Sequence, residues 1–214
     1  AIVIALLMLV WLLFSIFSAG LPAFRQTFIE IPVQLDAAVL DKAGNGNPVE
    51  MASVTTIGYG KLIGRALTAE LEAKGIDIGE MTPKDLVGMV SENAAADLRD
   101  MVLADPKLLG TTVQFKALAH GRIDGYFKGR VTMETAARDN MTSPEKLMLA
   151  DKMVAAGLME MRFNAGFLTM PDASDKRPEA AGLGVAIIGS LYMMVVVLCL
   201  ALPIGVAASV YLEE

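Results

Sequence analysis

Two stretches of this chain carry no charged side chain: residues 1–24 and 180–212. Every Lys and Arg lies between them, as do all the acids except Glu213 and Glu214. The pattern is apolar, polar, apolar. The first apolar run, 1–17 (AIVIALLMLVWLLFSIF), is rich in Leu, Ile and Val and is followed by Gly20 and Pro22. A spanning helix needs about 20 apolar residues, with about 17 near the lower limit. The run therefore predicts a transmembrane helix over 1–19. A cleaved signal peptide is its rival, with Ser18-Ala19-Gly20 as a small-residue site, but such apolar regions run only about 7–15 residues. The chain opens at Ala1 with no basic segment ahead of the run, and upstream sequence is expected.

The second run, 180–212, is longer than a bilayer needs: it would reach about 50 Å against a hydrocarbon core of about 30 Å. Its start holds Gly182, Gly184 and Gly189. It is read as an elbow over 180–186 followed by a transmembrane helix over 187–212. Pro203 removes one backbone hydrogen bond within the span and predicts a kink. Ala201, Gly205 and Ser209 recur at i, i+4, i+8 and share one face, where small side chains let helices approach closely. The first helix shows mostly large aliphatic residues, which suits a lipid-facing position.

Between the helices, 28–35 alternates and predicts a short strand, with Pro32 favouring a sheet edge. Residues 41–48 (DKAGNGNP) form a turn-rich break. A helix over 61–74 is closed by Gly75. Thr82-Pro83 then caps a helix whose apolar residues Leu86, Val90, Ala94, Leu98 and Met101 run to Asp105-Pro106. Residues 111–118 predict a strand, His120-Gly121-Arg122 a turn, and 125–131 a second short strand. Ser143-Pro144 opens a helix ended by Gly157, and 158–168 is a further extended candidate. Helices and strands mix without strict alternation, so the insert, 20–179, is assigned an α+β fold.

Composition narrows the function. Of the 214 residues 54% are hydrophobic and 20% charged, which fits a membrane protein with a polar insert rather than a soluble enzyme. The insert's 18 bases and 22 acids are too evenly mixed for the basic stripe that nucleic acid requires. Cys199 stands alone within the second run, so no disulfide framework exists. Eleven of the fourteen Met residues fall in the insert and are read as core filler.

Catalytic signals are weak. Gly58-Tyr59-Gly60-Lys61 and Gly64 lack the spacing of a phosphate loop and fit a helix start better. Asp97 and Asp100 lie one turn apart, but Glu92, Arg99 and Asp105 around them suggest a solvated helix face. His120 has no nucleophile partner in an obvious motif and no metal-ligating neighbours. Neither cofactor, metal nor catalytic residue is assigned.

The resemblance comes from Arg177-Pro178-Glu179-Ala180-Ala181-Gly182, Gly189-Ser190-Leu191, Leu202-Pro203-Ile204-Gly205-Val206-Ala207-Ala208 and Tyr211-Leu212-Glu213-Glu214. This stretch resembles the start of the permease core in the PstA-type subunit of the phosphate ABC importer. Gly20-Leu21-Pro22-Ala23-Phe24 resembles the segment after that family's first helix. Asp105-Pro106, Asp124-Gly125-Tyr126-Phe127-Lys128-Gly129 and Phe163-Asn164 resemble landmarks of a subgroup's extended periplasmic domain.

The resemblance implies a multi-pass subunit of the bacterial inner membrane, with residues 25–179 in the periplasm. It implies as partners a second permease subunit, ATPase subunits that hydrolyse ATP, and a periplasmic phosphate-binding protein. The family's coupling loop and remaining core helices would follow Glu214, so the chain is expected to represent the N-terminal part of such a subunit. No substrate-binding residue is carried over. Charge alone leaves the orientation open: Arg25, Lys176 and Arg177 flank the insert side, yet the positive-inside rule weakens for loops beyond about 60 residues. The alternative is a two-helix receptor with a periplasmic sensor domain. It would continue into a charged linker or coiled coil, which Pro203 and the small-residue stripe do not favour.

Overall fold

The structure, a computed structural model, describes residues 2–41, 44–173 and 177–213. Ala1, Lys42, Ala43, Ser174, Asp175, Lys176 and Glu214 lie outside the described residues, and with them part of the 41–48 break and one of the flanking bases. Helix α1 (Ile2–Gly20) carries no buried residue. A 3-10 turn (Leu21–Phe24) then leads directly into strand β1 (Arg25–Gln34). At the other end of the chain α10 (Gly184–Glu213) buries only Gly184. Both helices are long and apolar enough to cross a membrane, and they flank a small α+β domain. Regular helix in α10 begins three residues before the expected Ile187 and runs unbroken through Pro203.

The domain is built on a three-stranded antiparallel sheet in the order β2-β1-β3, with β2 at Thr112–Leu118 and β3 at Met159–Phe163. Ile29, Ile31, Val33 and Leu35 are fully buried and alternate with Glu30, Pro32 and Gln34, so one face of the sheet holds the core. Packed into that core are α4 (Thr56–Ala73), through Tyr59, Ile63, Leu67 and Leu71, and α9 (Pro144–Ala155), through Leu147, Ala150 and Met153. The opposite face is polar: Arg162 of β3 pairs with Glu30 of β1 at 2.6 Å and with Glu160 at 2.7 Å. Of the insert's methionines, Met51, Met89, Met153 and Met159 are core residues, whereas Met148 is half exposed.

The edge expected from Pro32 is met in an unexpected way. β1 is the central strand, but its pairing with β3 stops at Ile29, while pairing with β2 continues through Pro32↔Gln114 to Gln34↔Thr112. Glu30 still donates its N–H to Leu158 O on the β3 side. Pro32, two residues on, points its missing donor to that same side, where among the described residues no strand remains.

Several sequence expectations are corrected. The apolar spacing over 82–105 covers two helices, α5 (Pro83–Val87) and α6 (Ala94–Ala104). Between them the chain bridges Val90 to Ala119 and donates Ser91 N–H to Leu118 O. Periodicity hid the break because Leu86, Val90, Ala94 and Leu98 are all buried on both sides of it. The strand expected over 125–131 does not form: 125–127 end helix α7 (Gly121–Phe127), which the His120 side chain starts, and 128–131 turn away from it. The extended segment ends at Phe163, because the Asn164 side chain accepts from Gly166 N–H and turns the chain into a 3-10 helix (Ala165–Leu168). The short helices α2 (Ala37–Leu40), α3 (Pro48–Met51) and α8 (Met133–Ala136) complete the domain.

Candidate functional site

β1 and β3 are antiparallel neighbours, with Arg25 opposite Phe163. The chain therefore enters from α1 and leaves toward α10 at the same end of the sheet. At that end three of the landmark stretches converge: 124–129, 163–164 and 177–182. What they build is a polar joint between the domain and its two helices.

The joint centres on Asp124 of α7, only 6% exposed. One of its oxygens accepts from Thr27 N–H at 2.9 Å and from the Thr27 hydroxyl at 3.1 Å, and the other is ion-paired with Lys128 one turn on. A buried carboxylate needs both a counter-charge and donors, and here it has them. Beside it Gln26 donates to the backbone oxygen of Glu179 and accepts from Asn164 Nδ2. Glu179, 2% exposed, accepts from the Ser91 hydroxyl at 2.7 Å through Oε1, while its Oε2 is buried without a hydrogen-bond partner among the described residues. Arg177 donates to Asn93 Oδ1. The segment before α10 is thereby fastened to β1 and to the α5–α6 connection.

Two close approaches complete the fastening. A Cβ on Gly121 would stand 2.6 Å from Glu179 Oε2 and 2.8 Å from Pro178 Cγ, so only glycine lets 178–179 lie on the start of α7. A Cβ on Gly182 would run into the carbonyl oxygen of Met170. The first amides of α10 need partners from outside the helix. Gly184 donates its N–H to Met170 O at 3.0 Å, and just ahead of the helix Gly182 and Leu183 donate theirs to Pro171 O and Phe167 O at 2.9 and 2.7 Å. The expected elbow is thus a hydrogen-bonded seat that ends at Leu183. On the α1 side Phe24 stacks on Phe163 at 6.0 Å and meets Phe167 edge-on at 5.2 Å, and Asn164 N–H donates to Phe24 O at 2.8 Å.

His120 caps α7, its Nδ1 accepting from Arg122 N–H at 3.2 Å. Burial lowers its pKa, against the pull of Glu179 and Glu92 and with the help of Lys146 and Arg122. Asp97 and Asp100 are exposed on α6, and Gly58-Tyr59-Gly60-Lys61 lies inside α4 rather than in a loop. Burial raises the Tyr59 phenol. Among the described residues no group of His, Cys, Asp and Glu side chains is placed to hold a metal.

Ala201, Gly205 and Ser209 are exposed on α10, with Pro203 between them. Ser209 donates its hydroxyl to Gly205 O at 3.0 Å, and among the described residues nothing outside the helix's own backbone stands within 4 Å of the position a Gly205 Cβ would take. The stripe lies open. Sequence reasoning missed Gln26, Thr27, Ser91 and Glu179 as parts of one cluster, since their bonds span 88 to 153 residues. The i, i+4 pairing of Asp124 and Lys128 was a readable helix signal.

No curated protein and no solved structure matches the chain. Residues 1–137 match the family described as Domain of unknown function (DUF3333), a match that takes in α1, β1, β2 and the chain through α8. It covers more than half of the sequence, and the chain belongs to the DUF3333 family.

Proposed function

We propose that the chain belongs to a permease subunit of an ATP-driven phosphate importer of the bacterial inner membrane. It contributes two membrane helices and an extracytoplasmic domain to that subunit, and it helps to form the transmembrane path. The observation that carries this reading is the state of α10: its length is exposed apart from Gly184, and no described residue covers its small-residue face. A helix of this kind is suited to close packing by further membrane helices. The resemblance over 177–214 supplies the substrate class. In this reading catalysis resides in separate ATPase subunits, and the polar joint keeps α1 and α10 in fixed register with the domain while the bundle changes conformation.

The test is phosphate uptake by cells lacking the chain and by cells with it restored, together with recovery of ATPase and permease partners from detergent extracts. Uptake that depends on the chain, with those partners bound, is expected. Unchanged uptake, or recovery with a kinase instead, would favour the receptor. Sidedness is read separately in a Cys199→Ser background. A cysteine at Glu72, exposed on α4, or at Ser174, outside the described residues, should react with an impermeant thiol reagent in intact spheroplasts. Reaction only after lysis would place the domain inside.

A further inference from the structure

A groove of about 790 Å³ opens where α1 joins the domain, between the turn after the helix, the end of α7 and β3. That is within the roughly 300–1,000 Å³ of small-molecule clefts. Leu21, Phe24, Phe127, Met161 and Phe163 give it an apolar lining, and Arg25 and Lys128 give it charge. Much of the lining is open, with Leu21 61% and Phe163 68% exposed. The two cations differ. The Lys128 side chain is 8% exposed and neutralised by Asp124, whereas Arg25 is exposed and has no ion-pair partner among the described residues.

We infer that this groove binds an anionic membrane phospholipid, with an acyl chain along the apolar lining and the phosphate against Arg25. The inference rests on α1 spanning the membrane, as the function proposed above requires. Two features argue for a lipid. Ser18, Leu21 and Pro22, at and just beyond the end of α1, form part of the groove, so it is continuous with the helix surface that lipid would cover. Arg25 is the first charged residue after 24 uncharged ones, which puts its guanidinium at headgroup level at the mouth of an apolar recess. A guanidinium fork matches phosphate oxygens in a way that a lone ammonium does not.

The test reconstitutes the full chain in phosphatidylcholine nanodiscs doped with a photoactivatable phosphatidylglycerol. Labelling is expected on peptides holding residues 21–25 and 161–163. Arg25→Gln should lower it about fivefold, the effect of one basic residue near an anionic surface. Arg25→Lys should restore part of it, and Arg65→Gln, exposed on α4, should leave it unchanged. Labelling indifferent to Arg25 would overturn the assignment. So would suppression by millimolar inorganic phosphate, which would mark a free-anion site, or crosslinks from the groove to a partner subunit in place of lipid. A chain that does not enter the nanodiscs would overturn the membrane reading and the groove together. Insertion and phosphate uptake without Arg25-dependent labelling would overturn the groove alone.

Discussion

His120 must stay neutral to do its work. Its Nδ1 needs a free lone pair to accept from Arg122 N–H, and burial disfavours the charged ring. A His whose folded pKa is depressed lends stability that is present above its unfolded value, near about 6.5, and is lost as the pH falls below it, because the unfolded chain then binds more protons. Residues 25–179 should therefore lose stability between pH 7.5 and 5.5. Asp85, Glu145 and Glu160, whose carboxyls are held low by hydrogen bonds, act only further down, near the unfolded carboxylate range of about 4. His120→Asn keeps a capping side chain without a titrating ring and should flatten the dependence, as read from urea midpoints at the two pH values. An equal loss in the variant would show that another group is responsible. His120→Ala, which removes the cap, should cost about 1 kcal/mol at pH 7.5.

At the scale of elements, the seat of α10 depends on backbone lying against backbone. A methyl group at Gly182 meets the Met170 carbonyl, which cannot swing aside as a flexible side chain would. Overpacking of this sort typically costs about 1–3 kcal/mol. Gly182→Ala should loosen the segment between β3 and α10 and speed its cleavage in limited proteolysis. Gly189→Ala, with no described residue outside its own helix backbone within 4 Å of its Cβ position, should behave as the native protein does. Equal cleavage in both variants would mean that the seat does not hold α10 to the domain. The domain itself draws little on its helices, since α1 buries no residue and α10 only Gly184. Residues 25–179 contain no Cys. The excised domain should unfold in one cooperative transition that reductant and chelator leave unmoved; a broad, non-cooperative loss of structure would show that α1, α10 or a partner completes its core.

For the molecule as a whole, the prediction concerns the surface left open. Gly205 lies in line with Ala201 and Ser209, and among the described residues nothing outside its own helix backbone comes within 4 Å of its Cβ position. In the transporter proposed above, Gly205→Leu should force neighbouring backbones apart, with loss of partner recovery or of phosphate uptake, because packing is what holds helices together in lipid. Leu6→Ala on α1, whose surface is large and aliphatic, should change little. Full uptake and full recovery in Gly205→Leu would reduce the stripe to an accident of composition.

How much of this was legible beforehand follows from the range of the forces involved. The two apolar helices, the caps at Thr82 and Ser143, the stops at Gly75 and Gly157, and strands β1 and β2 depend on side chains within a few residues of one another, and they stand in the sequence as patterns. The break between α5 and α6 did not, because both helices bury the same spacing against one core. Nor did the central place of β1, since Pro32 signals only that a donor is missing and not which flank lacks a partner. The polar joint lies furthest from the sequence. Gln26, Thr27, Ser91, Asp124, Asn164 and Glu179 are ordinary polar residues taken singly. Only tertiary structure buries them at the foot of one sheet, where desolvation obliges each to find a partner far away in the chain.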